Sequence, residues 1–158
     1  MTDSSSTIQR SVTVPVSPAA AFELFTGRFG DFKPREHNLL GTPITETVFE
    51  PRIGGSIIDR ADDGTECRWA RILAFEPPHR VVFSWDIGPT WQIETDHERC
   101  SEVEISFTAD GPSSTLVAVE HRHLDRHGPG WESVRQGVAG DGGWPLYLAR
   151  YRELTTSR

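Results

Sequence analysis

The fold of this chain is decided by the stretch Glu102-Val-Glu-Ile-Ser-Phe-Thr-Ala-Asp-Gly-Pro-Ser-Ser-Thr-Leu-Val-Ala-Val-Glu-His121. Apolar and polar residues alternate on both sides of Asp110-Gly111-Pro112, which is typical of two strands joined by a tight turn. Side chains of a strand point alternately to its two faces, so the apolar residues collect on one face of the hairpin. The residues on that face are Val103, Ile105, Phe107, Thr115, Val117, Val119 and His121. We therefore predict an antiparallel hairpin that buries one face and exposes the other.

Similar patterns precede the hairpin and predict more strands. Asp63-Gly64 is the strongest short turn signal in the chain, because a two-residue type I′ turn needs positive φ at both central positions. Pro77-Pro78 separates two further strands, since proline cannot donate to a sheet ladder. The predicted strands before the hairpin are residues 7–16, 47–51, 56–60, 66–75 and 81–87. Together with the hairpin they predict an antiparallel meander of about six to seven strands.

The sequence pattern of the strand at residues 66–75 does not show which of its faces points inward. Cys67, Trp69 and Arg71 share one face, and Ala70 and Ile72 share the other. Small residues suit a face on which a helix packs closely. We therefore expect Ala70 and Ile72 to point inward and Trp69 to lie on the outer face or at the rim.

Two helical patterns follow the first strand. Ser17 is typical of a helix N-cap, Pro18 of a first helical position and Gly27 of a helix end. Residues 28–45 contain several glycines and prolines, and they predict a second short helix or an irregular segment.

A terminal helix is predicted to begin at Trp144-Pro145, after a helical piece within residues 129–138. Trp144, Leu148 and Tyr151 are spaced at i, i+4 and i+7, which places them in one apolar stripe. A sheet with one apolar face must cover that face. We expect this helix to provide the cover.

Length and charge limit the classes of function. The 158 residues suit one domain, which we expect at residues 7–155 between a disordered end at 1–6 and a frayed end at 156–158. The net charge of −7 argues against a surface for nucleic acid or an anionic membrane. No apolar run approaches the roughly 18 residues of a membrane span, and the polar start is unlike a secretory signal. We therefore expect a cytoplasmic protein whose cysteines, Cys67 and Cys100, are reduced.

Several runs, taken in order over residues 8–154, resemble a known family. They include Val12-Thr-Val-Pro-Val-Ser-Pro18, Asp63-Gly-Thr-Glu-Cys-Arg-Trp69, Val81-Val-Phe-Ser-Trp85 and Gly142-Gly-Trp-Pro-Leu-Tyr-Leu148. The chain is similar here to the activator of heat-shock-protein-90 ATPase homologue family, within the START-like (SRPBCC) superfamily. The resemblance implies an α+β helix-grip fold. In that fold a curved antiparallel sheet wraps around a long C-terminal helix and a ligand cavity, with two short helices after the first strand.

The inward faces and this fold together predict a cavity for a small hydrophobic molecule. The predicted lining residues are Phe32, His37, Phe83, Trp85, Val103, Ile105, Val117, Val119, His121, Trp144, Leu148 and Tyr151. Arg35, Arg68 and Arg71 are further donors available to a polar group of the ligand. Trp91 lies in a polar loop and is a candidate lid or partner contact. We expect no cofactor, and we expect no metal because His121, His123 and His127 read as a strand end and a solvated loop.

Two other functions stay open. One is a cyclase-like or hydratase-like enzyme, in which His121 is the candidate acid or base on an inner face. The other is a co-chaperone-like regulator of the heat-shock-protein-90 ATPase, which the family name implies. Beside the small-molecule partner, a homodimer and a chaperone contact stay open.

Overall fold

The computed structural model describes residues 6–34 and 37–156, and it shows a seven-stranded antiparallel sheet with helices against one face. Of the predicted ends at residues 1–6 and 156–158, residues 1–5 and 157–158 lie outside the described residues. The strands are β1 (Ile8–Val14), β2 (Ile44–Phe49), β3 (Ser56–Ala61), β4 (Glu66–Glu76), β5 (Arg80–Trp85), β6 (Ser101–Ala109) and β7 (Thr115–Arg122). The helices are α1 (Pro18–Gly27), α2 (Phe29–Phe32), α3 (Trp131–Ala139) and α4 (Trp144–Thr156), with 3-10 turns at His97–Arg99 and Leu124–His127. None of the described helices is long and apolar enough to cross a bilayer.

The sheet confirms the predicted meander and the helix-grip architecture. Its spatial order is β1-β7-β6-β5-β4-β3-β2, so β2 to β7 are consecutive neighbours and β1 pairs with β7 at one edge. In the quoted hairpin Ile105 lies opposite Val119, and on its other side Ile105 lies opposite Val81. The curled sheet surrounds α4, with α1 and α2 as the two short helices after the first strand.

The predicted boundaries differ from the observed ones chiefly at β2. The prediction for residues 47–51 is displaced, because the strand begins at Ile44 and ends at Phe49. The first helix matches its prediction closely. Ser17 Oγ accepts a hydrogen bond from the Ala20 amide at 3.3 Å, and the helix ends at Gly27 as expected.

Strand β4 places Trp69 differently from the prediction. Its register with β3 shifts next to Trp69, where Ile57 pairs with Ala70 and Ile58 pairs with Arg68. A β-bulge opposes two residues to one and breaks the strict alternation of faces. Trp69 and Ala70 are therefore both buried, with Trp69 only 1% exposed. The expectation that Trp69 lies outside was wrong, whereas Ala70 and Ile72 are buried as expected.

One end of the space between sheet and helices is filled by aromatic rings. Phe22 and Phe25 of α1 contact Phe107 of β6 edge to face, with ring centroids 5.1 and 5.8 Å apart. The ring of Tyr151 lies 5.2 Å from that of Phe25, and its hydroxyl donates to the Ala21 carbonyl at 2.6 Å. This cluster of Phe22, Phe25, Phe107 and Tyr151 is called the closed end below. Its edge-to-face contacts are the arrangement that aromatic pairs favour.

Candidate functional site

A cavity of about 580 Å³ lies at the opposite end of the same space, which is called the open end below. It is bounded by α3, the beginning of α4, strands β3 to β5 and the loop after β5. The lining residues are Lys33, His37, Asn38, Leu39, Asp59, Trp69, Trp85, Ile87, Trp91, Gln136, Gly137, Val138, Gly140, Gly142, Gly143, Trp144 and Tyr147.

Aromatic rings form most of one wall. Trp85 stands between Trp69 and Trp144, with ring centroids 5.2 and 5.7 Å away. Tyr147 continues the wall 4.9 Å from Trp144, one turn further along α4. These rings offer flat apolar surface together with a few polar atoms.

A buried ion pair stands in the same wall. Lys33 Nζ lies 3.2 Å from Asp59 Oδ2, and both side chains are about 5% exposed. Thr47 Oγ1 donates to Asp59 Oδ1 at 2.7 Å. Lys33 Nζ also donates to the His37 carbonyl at 2.8 Å and lies 5.7 Å from the centre of the Trp69 ring. The cavity is therefore apolar along its wall and strongly polar at one place.

Trp91 is the exposed part of the lining. Its side chain is 64% exposed, and its backbone has a φ of 60°, a conformation that costs a non-glycine residue roughly 1–3 kcal/mol. The Trp91 amide donates to the Gly88 carbonyl at 3.0 Å, which fixes a tight turn. A side chain at Gly137 of α3 would lie 3.8 Å from the Trp91 indole. That distance is ordinary van der Waals contact, so a side chain longer than that of alanine is needed at this position to press against the indole.

The connection from α3 to α4 consists largely of glycine and lines the cavity with backbone. At Gly143 a Cβ atom would collide with the carbonyls of Gly137 and Val138, so glycine is required there. The Gly143 amide donates to the Gly140 carbonyl at 2.9 Å and closes the turn. Because Asp141 is the one residue of this connection that carries a side chain, the connection adds little bulk in front of Trp144.

The predicted lining residues divide into two groups. His37, Trp85 and Trp144 line the cavity. The remaining residues are buried in the packed core and do not line it: Phe32, Phe83, Val103, Ile105, Val117, Val119, His121, Leu148 and Tyr151. Alternation identifies which side chains point inward, but it does not tell a packed interior from an open one.

The predicted arginines do not line the cavity either. Arg71 pairs with Asp86 through two hydrogen bonds of 3.2 Å, and Arg68 donates to Ser56 Oγ at 3.1 Å. Arg35 lies outside the described residues. His37 alone of the predicted polar groups lines the cavity, with its Nδ1 3.5 Å from the Tyr147 hydroxyl.

Lys33, Asp59 and Trp69 are lining residues that the sequence interpretation missed. Lys33 is the only lysine of the chain, and Asp59 is a charge that follows two isoleucines in a strand. A charged residue in such a strand is the signal that could have found the pair, because buried charges are normally partnered.

Comparison with known protein families gives a match over most of the chain. The family model described as "Activator of Hsp90 ATPase homolog 1-like protein" matches residues 16–155. The chain belongs to this family. Among curated proteins, none matches the sequence significantly.

Solved structures of several family-like proteins superimpose on the chain. The anthrahydroquino-γ-pyrone synthase Txn09 is 36% identical, with a TM-score of 0.66 over 94% of this chain and 96% of the other. CalC from Micromonospora echinospora, a self-sacrificing resistance protein, is 27% identical, with a TM-score of 0.68 over 96% and 94%. The Hsp90 activator PFC0360w from Plasmodium falciparum is 16% identical, with a TM-score of 0.58 over 96% of each chain, and this likeness shows the fold alone.

His121 lies behind the cavity wall and not in the predicted cavity lining. Trp144 Nε1 donates to His121 Nδ1 at 3.1 Å, and His121 Nε2 lies 2.7 Å from Ser101 Oγ. An indole nitrogen only donates, so His121 is neutral and carries its proton on Nε2. Burial, and then the neighbouring His127, lower the pKa of His121 to about 3. The ring is fully buried behind Trp144 and holds that side chain in the cavity wall.

Ser101 connects His121 to a second buried histidine. Ser101 Oγ lies 2.8 Å from His127 Nε2, and His127 Nδ1 has no partner among the described residues. Burial lowers the pKa of His127 as well, although Asp86 and Glu94 act in the opposite direction. His121 and His127 therefore belong to a buried hydrogen-bonded chain behind the wall. Within the described residues, no group of three His, Cys, Asp or Glu side chains could hold a metal ion.

Proposed function

We propose that this protein binds a small, predominantly aromatic molecule in the open-end cavity. The observation that supports this most directly is the wall of Trp69, Trp85, Trp144 and Tyr147 beside an unfilled volume of about 580 Å³. Ligand pockets commonly have volumes of about 300–1,000 Å³ and combine apolar walls with a few directed polar groups. The identity of 36% to a synthase of an aromatic compound is consistent with the same ligand chemistry.

Calorimetric titration with 2-methoxynaphthalene tests this function. We expect saturable binding that is lost when Gly137→Leu places a side chain against Trp91 at the cavity mouth. Gly27→Leu is the matched control, because no atom lies within 4 Å of a Cβ there and the residue ends α1 away from the cavity. Absence of binding to the unmodified protein, or equal binding by both variants, would contradict the proposal.

A second candidate is an enzyme that closes a ring in such a molecule. The observation that favours it is the identity to the synthase Txn09 over 94% of the chain. The predicted acid–base residue, His121, does not line the cavity. The lining side chains that could move a proton are Lys33, His37, Asp59 and Tyr147. Incubation with an anthrahydroquinone bearing an open side chain, followed by mass spectrometry and ultraviolet spectra, tests it. An unchanged substrate would exclude this activity for that class of compound.

Regulation of Hsp90 rests on the family description and on the fold of the Plasmodium activator. A rise in ATP turnover by Hsp90 on addition of this chain would support it, and an unchanged rate would count against it. The expected homodimer and cytoplasmic location stay predictions.

A further inference from the structure

The buried ion pair of Lys33 and Asp59 is placed where a bound molecule would meet it. Both residues line the cavity, and they lie in different parts of the chain, after α2 and in β3. The pair is buried to about 95%, and the Trp69 ring lies beside the ammonium group. It is a charged point in a lining that also contains the rings of Trp69, Trp85 and Trp144.

A buried ion pair such as Lys33 and Asp59 often adds little to the stability of a fold. Removing two charges from water costs free energy that their attraction often fails to recover, and apolar replacements are frequently neutral or stabilising. Lys33 and Asp59 also need the surrounding polar groups, the Thr47 hydroxyl and the His37 carbonyl, to complete their hydrogen bonds. The position of the pair in the cavity wall points instead to a use in binding.

Lys33 and Asp59 differ in how many of their donor and acceptor positions the surrounding protein uses. The Lys33 ammonium has three donors, and its described acceptors are the Asp59 carboxylate and the carbonyls of His37 and Pro34. The Asp59 carboxylate has about four acceptor positions. Its described donors are Thr47 Oγ1 and Lys33 Nζ. The pair can therefore accept a further hydrogen bond at Asp59.

We propose that Asp59 accepts a hydrogen bond from a phenolic or enolic hydroxyl of the aromatic ligand, while Lys33 supplies the countercharge and orients the carboxylate. This inference rests on the proposed function and adds the substrate class: a hydroxylated aromatic molecule. Asp59 is then the residue that distinguishes a free hydroxyl from a methyl ether, because the ether has no proton to donate.

The test compares two probes, 2-naphthol and 2-methoxynaphthalene, by calorimetric titration. We expect the unmodified protein to bind 2-naphthol at least about tenfold more tightly, as a hydrogen bond to a charged group allows. Asp59→Leu alone would leave a buried ammonium group without its countercharge, so the pair is removed together as Lys33→Met with Asp59→Leu. In that double variant the two probes should bind equally, and the affinity for the ether should change less than about twofold.

The matched control is Asp86→Asn, which breaks a second ion pair, with Arg71, in which the carboxylate is 8% exposed. Asp86 does not line the cavity, so this variant should keep the preference for 2-naphthol. Lys33→Met with Asp59→Asn, which removes both charges and keeps the shape of the Asp59 side chain, is a second variant with a weaker acceptor, and it should reduce the preference.

The outcomes separate this inference from the function on which it rests. If the unmodified protein binds the ether and binds 2-naphthol no better, Asp59 has no such role, although the cavity is a binding site. If the preference survives in the double variant, the hydroxyl is recognised elsewhere and the assignment is overturned. If neither probe binds, the proposed function itself fails.

Discussion

The closed and open ends of the grip are built on one sheet and one helix, yet they pack differently. At the closed end the rings of Phe22, Phe25 and Phe107 meet edge to face at 5.1–5.8 Å. At the open end Trp85 contacts Trp69 and Trp144 at similar spacings of 5.2 and 5.7 Å, but the three rings border a cavity of about 580 Å³. Aromatic content therefore does not decide whether the interior is filled.

The difference lies in what covers each end. Helix α1 brings Phe22 and Phe25 into the closed end. The connection before α4 brings Gly140, Gly142 and Gly143 to the open end, where backbone replaces side chains. Packing in proteins reaches the density of organic crystals only where side chains interdigitate. The covering segment, more than the sheet, determines where this fold is hollow.

The largest expected effect comes from truncating a ring at the closed end. Phe25→Ala should lower the free energy of unfolding by about 3–5 kcal/mol, because the ring is fully buried and its removal leaves a cavity. Trp91→Ala at the open end removes a larger side chain, yet it should cost less than about 1 kcal/mol, since Trp91 is mostly exposed. Urea unfolding measures both. Similar losses for the two variants would refute the contrast.

Acid should weaken the attachment of the open-end wall. The pKa of His121 is about 3 in the folded protein, against about 6.5 in an unfolded chain. Between pH values of about 6.5 and 3 the unfolded state therefore binds a proton at His121 that the folded state does not bind. The free energy of unfolding falls as the pH falls through this range. This residue contributes up to about 1.4 kcal/mol for each pH unit.

Urea unfolding at several pH values between 7 and 4 measures this dependence. His121→Gln should flatten the curve relative to the unmodified protein, because an amide does not titrate in this range while it can still accept from Trp144. His127, whose pKa burial also lowers, will leave a residual slope of the same sign. Parallel curves for the two proteins would show that His121 carries no such effect.

Two adjacent glycines at the open end, Gly142 and Gly143, differ in whether a Cβ atom fits beside them. Gly143→Ala should destabilise by about 1–3 kcal/mol, because its Cβ would collide with the Gly137 and Val138 carbonyls. Gly142→Ala is the matched control, since no atom lies within 4 Å of a Cβ there. Thermal unfolding compares them, and an equal shift in both variants would mean that backbone contact at Gly143 is unimportant.

The smallest expected effect concerns Cys67, which lies opposite Asp59 in the β3–β4 register. Burial raises the pKa of this thiol, and the Asp59 charge raises it further. Asp59→Asn should therefore lower the pKa and increase the rate of alkylation by iodoacetamide at pH 8 a few-fold. Cys100 is an internal reference, because burial raises its pKa to about 12. Peptide mass spectrometry distinguishes the two thiols. An unchanged rate of Cys67 alkylation would show that the Asp59 charge does not affect the pKa of this thiol.

Local sequence signals were sufficient for much of the fold. The hairpin at Asp110-Gly111-Pro112, the cap at Ser17 and the stripe of Trp144, Leu148 and Tyr151 each depend on neighbouring residues alone, and all of them are found in the structure. Their order also carried the family resemblance, which the family model confirms.

The candidate site depended on contacts that no local pattern contains. A bulge in β4 turned Trp69 inward, against the simple alternation of faces. Lys33 and Asp59 are 26 positions apart in the chain, and only the pairing of α2 with the sheet brings them to 3.2 Å. Whether inward side chains fill the space depends on the glycines opposite them, so Val103 and Ile105 were assigned to a cavity although they are packed.

The edge-to-face contacts among the indoles have an optical consequence. Trp69 and Trp85 are inclined by 69°, and Trp85 and Trp144 by 61°, at centroid distances under 6 Å. Chromophores this close and this oblique couple their electronic transitions, so the near-ultraviolet circular dichroism of the molecule originates mostly at one end. Phenylalanines at the other end absorb weakly, and Tyr151 is the stronger chromophore there. The near-ultraviolet signal therefore reports mainly on the indoles of the open end, and loosening of the closed end changes it only through Tyr151.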